Sequence, residues 1–295
     1  MRDWQQRLAE TQVLIADGAW GTELAKAGME PGSAPELWNR DRPDVVRAVA
    51  AAYVEAGSDI ILTNTFGGTR FKLEKAGLGE DVAELNRLGA ALSREAGTGR
   101  ALVFASIGPT GEFMQPLGLV SEEAMVAAFA EQVCALVAGG ADGIVIETMT
   151  DLGEAKAALK AVQENSDLSA VVSMTFDRGE KGYATMMGVR PEQAADELTA
   201  AGASAVGANC GSGIEDVTQV VRLMRPATNL PIWAKPNAGL PELVGGKTVY
   251  RETPEQMAAH FAGLVGAGAH IVGGCCGTTP DHIRALLAAR DALGA

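Results

Sequence analysis

Eight short apolar runs punctuate the chain: QVLIAD (12–17), DIILTNTF (59–66), ALVFASIG (101–108), DGIVIET (142–148), SAVVSMTF (169–176), SAVGANC (204–210), PIWAKPN (231–237) and AHIVGGCC (269–276). They are apolar nearly throughout rather than alternating, as strands covered on both faces are. Ala- and Glu-rich segments with helical spacing follow each of them. Several helix starts are marked: Pro43 opens one, and Ser121 ahead of Glu122 and Glu123 opens another. Thr253-Pro254-Glu255-Gln256 supplies a cap, a first-turn proline and a capping-box glutamine, and Thr279-Pro280 repeats the cap-and-proline device. Eight strand–helix repeats predict an α/β chain folded as a (β/α)8 TIM barrel, one domain over residues 1–295. A doubly wound open sheet is the alternative, but no G-x-G-x-x-G follows the first strand. The longest stretches without periodicity, 108–120 and 237–252, both follow strands and would overhang the C-terminal face of a barrel.

That face is where barrel enzymes carry out their chemistry, because the loops leaving the strands converge there. The predicted strand ends are rich in glycine and polar groups. The first ends in Asp17-Gly18-Ala19-Trp20-Gly21-Thr22, the second in Thr63-Asn64-Thr65-Phe66 and the fourth in Glu147-Thr148. The sixth ends in Asn209-Cys210, the seventh in Pro236-Asn237-Ala238-Gly239 and the eighth in Gly274-Cys275-Cys276-Gly277. Three of the four cysteines thus sit at strand ends. Cys134 lies instead in the helical stretch AFAEQVCALVAGG, where a small core hydrophobe is expected.

Composition narrows the partners. The formal net charge of −13 argues against nucleic acid, whose binding relies on basic patches. No apolar run approaches the length of a membrane span, and MRDWQQRLAETQ lacks the apolar centre of a signal peptide, so a cytoplasmic location without membrane contact is expected. Four cysteines are too few for a disulfide scaffold in a chain of 295 residues.

Strands six and eight of a closed barrel end at the same mouth, so Cys210, Cys275 and Cys276 can reach one cation at Zn–S distances of about 2.3 Å. Soft sulfur ligands select Zn2+, and three protein ligands leave a fourth position open, as at a catalytic site. None of His260, His270 and His282 falls at a predicted strand end. Three thiolates make zinc a poor activator of water, but such a site binds a further thiol and holds it as a reactive thiolate, which favours S-alkylation. Other readings of the same cysteines are a vicinal disulfide acting as a redox switch, and inert buried thiols. A phosphate cradle on the glycines gains no lysine or arginine from GGCCGTT. Asp17 and Glu147 end apolar runs, where a carboxylate is costly without a cation beside it; a ligand ammonium would serve. The N–H groups of Gly18, Ala19 and Gly21 could take a ligand carboxylate.

DGAWGT, TNTF, GPTG, IETMTD, GANC, PNAGLP and IVGGCCGTTPDHI, in that order, resemble the homocysteine S-methyltransferase family, and especially the homocysteine-binding barrel of cobalamin-dependent methionine synthases. The resemblance runs from about residue 12 to 290. It implies a zinc ion on Cys210, Cys275 and Cys276, and methyl transfer to the thiol of homocysteine to give methionine. It implies that Asp17 and Glu147 hold the homocysteine ammonium, and that the main chain near Gly18 and Ala19 binds its carboxylate. Asn237 would stand near the metal and fill its open position before substrate arrives, and Asn64 and Asn209 would line the same mouth. The methyl donor expected here is a separate corrinoid (cobalamin) protein, since no aromatic cage for a quaternary ammonium is evident near strand two and the chain stops at Ala295. S-methylmethionine or a betaine-like onium is the alternative donor. A corrinoid-dependent demethylase component with a different thiol acceptor, and a non-catalytic zinc or redox-sensing protein, are the competing functions.

Overall fold

The computed structural model describes residues 4–245 and 247–294; Gly246 of the stretch 237–252, with residues 1–3 and 295, lies outside the described residues. The eight predicted runs form the eight strands of one parallel sheet: β1 (Leu14–Ile15), β2 (Ile60–Ile61), β3 (Leu102–Ile107), β4 (Gly143–Met149), β5 (Ser169–Met174), β6 (Ala205–Cys210), β7 (Ile232–Pro236) and β8 (Ile271–Val272). The hydrogen-bonded order runs β1-β8-β7-β6-β5-β4-β3-β2. A parallel bridge between Ala16 and Ile60 brings β1 back to β2, so the sheet closes on itself and the open-sheet alternative falls. Surrounding helices complete a single-domain (β/α)8 barrel.

The expected helix starts hold. Pro43 is the first residue of helix Pro43–Glu55, and Ser121 accepts from the Ala124 N–H. Thr253 makes a full capping box with Gln256 and Thr279 one with His282. The helix carrying Cys134 corrects one expectation. It buries Met125, Phe129, Gln132, Val133 and Leu136, a stripe at three- and four-residue spacing that leaves Cys134 on the outer face, exposed. No helix of the described residues is long and apolar enough to cross a membrane.

Alternation along the strands sorts the core into two layers. Val103, Ala105, Ile144, Ile146, Val172 and Ala234 face the helices. Phe104, Val145, Val171, Ala205 and Trp233 fill the barrel with Leu14, Leu62 and Ile271. Helix Trp4–Thr11 closes the floor: Trp4 meets Phe104 edge-on, and Phe104 stacks on Trp233 at 6.5 Å between ring centroids. Two residues further along the interior positions the side chains turn polar, with Ser106 after Phe104, Glu147 after Val145, Ser173 after Val171 and Lys235 after Trp233; Asn209 joins them from β6. This polar layer is the bottom of the mouth.

Candidate metal and acceptor site

Cys210 ends β6, and Cys275 and Cys276 follow β8. Their three sulfurs lie within 4.8 Å of one another, with Cys210 Sγ 3.1 Å from Cys275 Sγ. Backbone contacts fix both loops: the Cys275 N–H donates to Pro236 O at 2.7 Å, and the Ala238 N–H donates to Cys276 O at 2.9 Å. Gly274 and Gly277 permit the turn between them. A Cβ on Gly274 would stand 2.4 Å from Thr278 Oγ1, and one on Gly277, at φ +82°, would enter the Tyr250 ring.

Cys210 itself is left-handed, at φ +63°, and so is Thr148 at the end of β4. Such backbone is costly for side chains with a Cβ and persists only where neighbours fix it. Asn209 is the neighbour: its Oδ1 accepts from the Thr148 N–H and the Ser173 hydroxyl, and its Nδ2 donates to Thr148 Oγ1 at 2.7 Å and reaches Cys210 Sγ at 3.4 Å. One buried amide therefore ties β4, β5 and β6 together and aims a cysteine. Hydrogen bonds to Cys275 and Cys276, with burial, hold the Cys210 thiol well above its ordinary range. Cys276 is pushed down to about 3 by hydrogen bonds from Cys210 and Cys275, with Tyr250 also donating. Three sulfurs converging in this way are a donor set that suits a soft cation.

Asn237 stands beside the cysteines. Its N–H donates to Cys210 O and its Nδ2 to Gly211 O at 2.8 Å, while its buried Oδ1 has no protein partner. Asn64 does not belong to the mouth in the same way. Its Nδ2 donates to Pro35 O and Asn39 Oδ1, fastening the segment around residues 35–39 to the barrel.

The two carboxylates differ. Glu147 is 7% exposed, accepts from Ser106 Oγ at 2.6 Å, and is pushed up to about 7, chiefly by burial, which Lys235 opposes and Cys275 reinforces. Asp17 is fully buried with both oxygens engaged: Oδ2 accepts from the Leu62 N–H at 2.7 Å and Trp20 Nε1 at 2.8 Å, and Oδ1 lies 2.5 Å from Lys235 Nζ. The N–H of Ala19, expected to face a ligand carboxylate, donates to Thr278 Oγ1 at 3.1 Å, and Tyr53 hydroxyl donates to Ala19 O. Gly18 packs against the same Tyr53 and Thr278.

Lys235 and Tyr250 were not expected at the site. Lys235 was readable from strand periodicity, since it falls two residues after Trp233 on the interior face of PIWAKPN. Tyr250 gave no such signal, because it lies in a loop whose path only the fold defines.

The sequence profile of the homocysteine S-methyltransferase family matches residues 14–290. Methionine synthase of Mycobacterium leprae is 31% identical over 97% of this chain, and methionine synthase of Mycobacterium tuberculosis is 31% identical over 94%. The chain spans about a quarter of the length of these relatives, 25% and 24%. Among solved structures, the metallated form of the homocysteine methyltransferase MmuM from Escherichia coli superposes with a TM-score of 0.79 at 27% identity, covering 96% of this chain and 98% of that one. With barrel, cysteine cluster and profile in agreement over nearly its whole length, the chain belongs to the homocysteine S-methyltransferase family.

Proposed function

We propose that the chain holds zinc on Cys210, Cys275 and Cys276 and transfers a methyl group from a methylcorrinoid protein to the thiol of homocysteine, giving methionine. The convergence of three sulfurs from β6 and β8 within 4.8 Å carries this reading. Zinc bound there would lower the pKa of the acceptor thiol and keep it nucleophilic at neutral pH. The protein's own groups do the remainder. Asn209 fixes the left-handed turn that aims Cys210. Asn237 Oδ1, buried and unpartnered, is suited to complete the ligand set until a thiol replaces it. Glu147, facing the mouth beside Cys275, receives the acceptor ammonium.

The donor is inferred from the rim. Among the exposed large apolar side chains are Phe66 after β2, Phe113, Leu117 and Leu119 after β3, Met186 after β5, and Leu240, Leu243 and Val244 after β7. Apolar residues spread around an open mouth suit a docking protein that brings a bulky planar cofactor. A cage for a small onium would instead need aromatic faces turned inward. Trp20 has its indole N–H on Asp17, and the Phe66 ring lies over Gly108.

The test is an assay of zinc-loaded protein with homocysteine and a donor panel of methylcobalamin, free or carrier-bound, S-methylmethionine and betaine. Zinc- and homocysteine-dependent demethylation of methylcobalamin, faster on a carrier, is expected. Turnover with an onium alone would replace the donor and leave the acceptor site standing. Cys210→Ala, Cys275→Ala and Cys276→Ala should each lose zinc, measured by metal analysis, while Cys134→Ala keeps it. Stoichiometric zinc in the Cys275→Ala, Cys276→Ala double variant would sink the metal site.

A further inference from the structure

Lys235 is a lysine buried in the protein, 2% exposed. It stands in the polar layer with its Nζ 2.5 Å from Asp17 Oδ1, the two side chains 2% and 0% exposed. A buried ammonium is tolerated only beside a compensating charge, and Asp17 supplies it. The remaining oxygen of Asp17 is already shared by the Leu62 N–H and the Trp20 indole. A substrate ammonium brought to Asp17 would meet a second ammonium at the same carboxylate in a medium of low polarity. Glu147 has one protein donor, the Ser106 hydroxyl on Oε1, and keeps some exposure to the mouth. The charges count the same way: Asp17 and Glu147 with Lys235 leave one negative charge, which a single ammonium neutralises.

We propose that Lys235 is the resident counter-ion of Asp17, so that Glu147 alone receives the acceptor's ammonium and the Asp17–Lys235 pair is a positioning element. The pair holds Trp20 and the start of the β2 loop in place and does not touch substrate. This inference rests on the homocysteine reading above. It departs from the acidic-pair arrangement that the sequence resemblance implies, and it locates amino-acid recognition on one side of the mouth, at β4.

The experiment compares homocysteine with 4-mercaptobutyrate, the same thiol acid without the amino group, as acceptors for zinc-loaded protein. The readout is the ratio of the two kcat/KM values. In the Asp17→Asn, Lys235→Met double variant, which removes both charges and keeps the volumes, the ratio should stay within about threefold of the unmodified protein. In Glu147→Gln it should fall about 30-fold or more, as when one partner of a buried charge pair is removed. A comparable fall in the double variant would overturn the inference. Should that variant not fold, the side-chain ammonium signal of Lys235 in nitrogen-15-labelled, unmodified protein decides: it should stay in place when homocysteine is added. A signal that shifts strongly or vanishes would mean that the ligand displaces Lys235 from Asp17. Unmodified protein that methylates neither thiol fails the homocysteine reading, and this inference with it. A preference for homocysteine in the unmodified protein that the double variant loses as fully as Glu147→Gln overturns the counter-ion role alone.

Discussion

A carboxyl group walled off from water keeps its proton longer, and Glu147, pushed up to about 7 mainly by burial, is such a group. In the role proposed for it, its partner is an ammonium, which needs it ionised. The raised value means that below about pH 7 the group is largely protonated, so acceptor affinity should climb most steeply as pH rises towards 7, and above it only through the proton that the acceptor thiol gives up on binding zinc. Titration calorimetry of homocysteine binding at fixed zinc would show this break in slope, and Glu147→Gln should remove the steeper limb while weakening binding above pH 7 by about 2–5 kcal/mol. An unchanged profile in the variant would assign the titration elsewhere. Glu147 and the three cysteines were legible in the sequence because a charge or a thiol pair inside an apolar run has few structural explanations. Lys235 is not singled out by its sequence context, although its two-residue spacing from Trp233 places it indoors. Cys134 was misread for the opposite reason: its helix is apolar nearly all round, and composition hid which face turned outward.

Elements show a similar division. Caps carry their chemistry in three or four adjacent residues, so Thr253 with Gln256 could be read directly. Strand positions were legible too, but the regular spans of β1, β2 and β8 shrink to two residues each. The loops at 108–120 and 237–252 were expected, whereas the hairpin pairing Asp177–Gly179 with Gly182–Ala184 was not; its Glu180-Lys181 turn lacks the Asn-Gly signature of tight hairpins. A second hairpin, Glu242–Val244 with Lys247–Val249, carries Leu243 with 79% of its surface exposed. If this rim docks a carrier, Leu243→Glu should slow methyl transfer from carrier-borne methylcorrinoid severalfold and leave transfer from free methylcobalamin nearly unchanged. Equal slowing with both donors would mean that the hairpin acts on the site and not on a partner.

At the scale of the whole molecule the barrel is a vessel with a floor. Its N-terminal helix offers few apolar side chains, so its sequence did not announce that Trp4 would seal the interior against Phe104. Trp4→Ala should remove about 3–5 kcal/mol of stability, seen as a lower melting temperature, with zinc still retained. The same floor has a kinetic consequence. The cysteines and Glu147 stand on the polar layer at the base of the mouth, the apolar rim stands above them, and below them the Trp4–Phe104–Trp233 stack bars passage. If a methyl carrier docks on the rim as proposed, it covers the acceptor as well. The thiol must therefore arrive before its donor, and its methylated product can depart only after the carrier has lifted away. Steady-state kinetics should be sequential and ordered, with methionine competing against homocysteine and not against the carrier. A carrier docked before the thiol would be a stopper, and raising its concentration should inhibit.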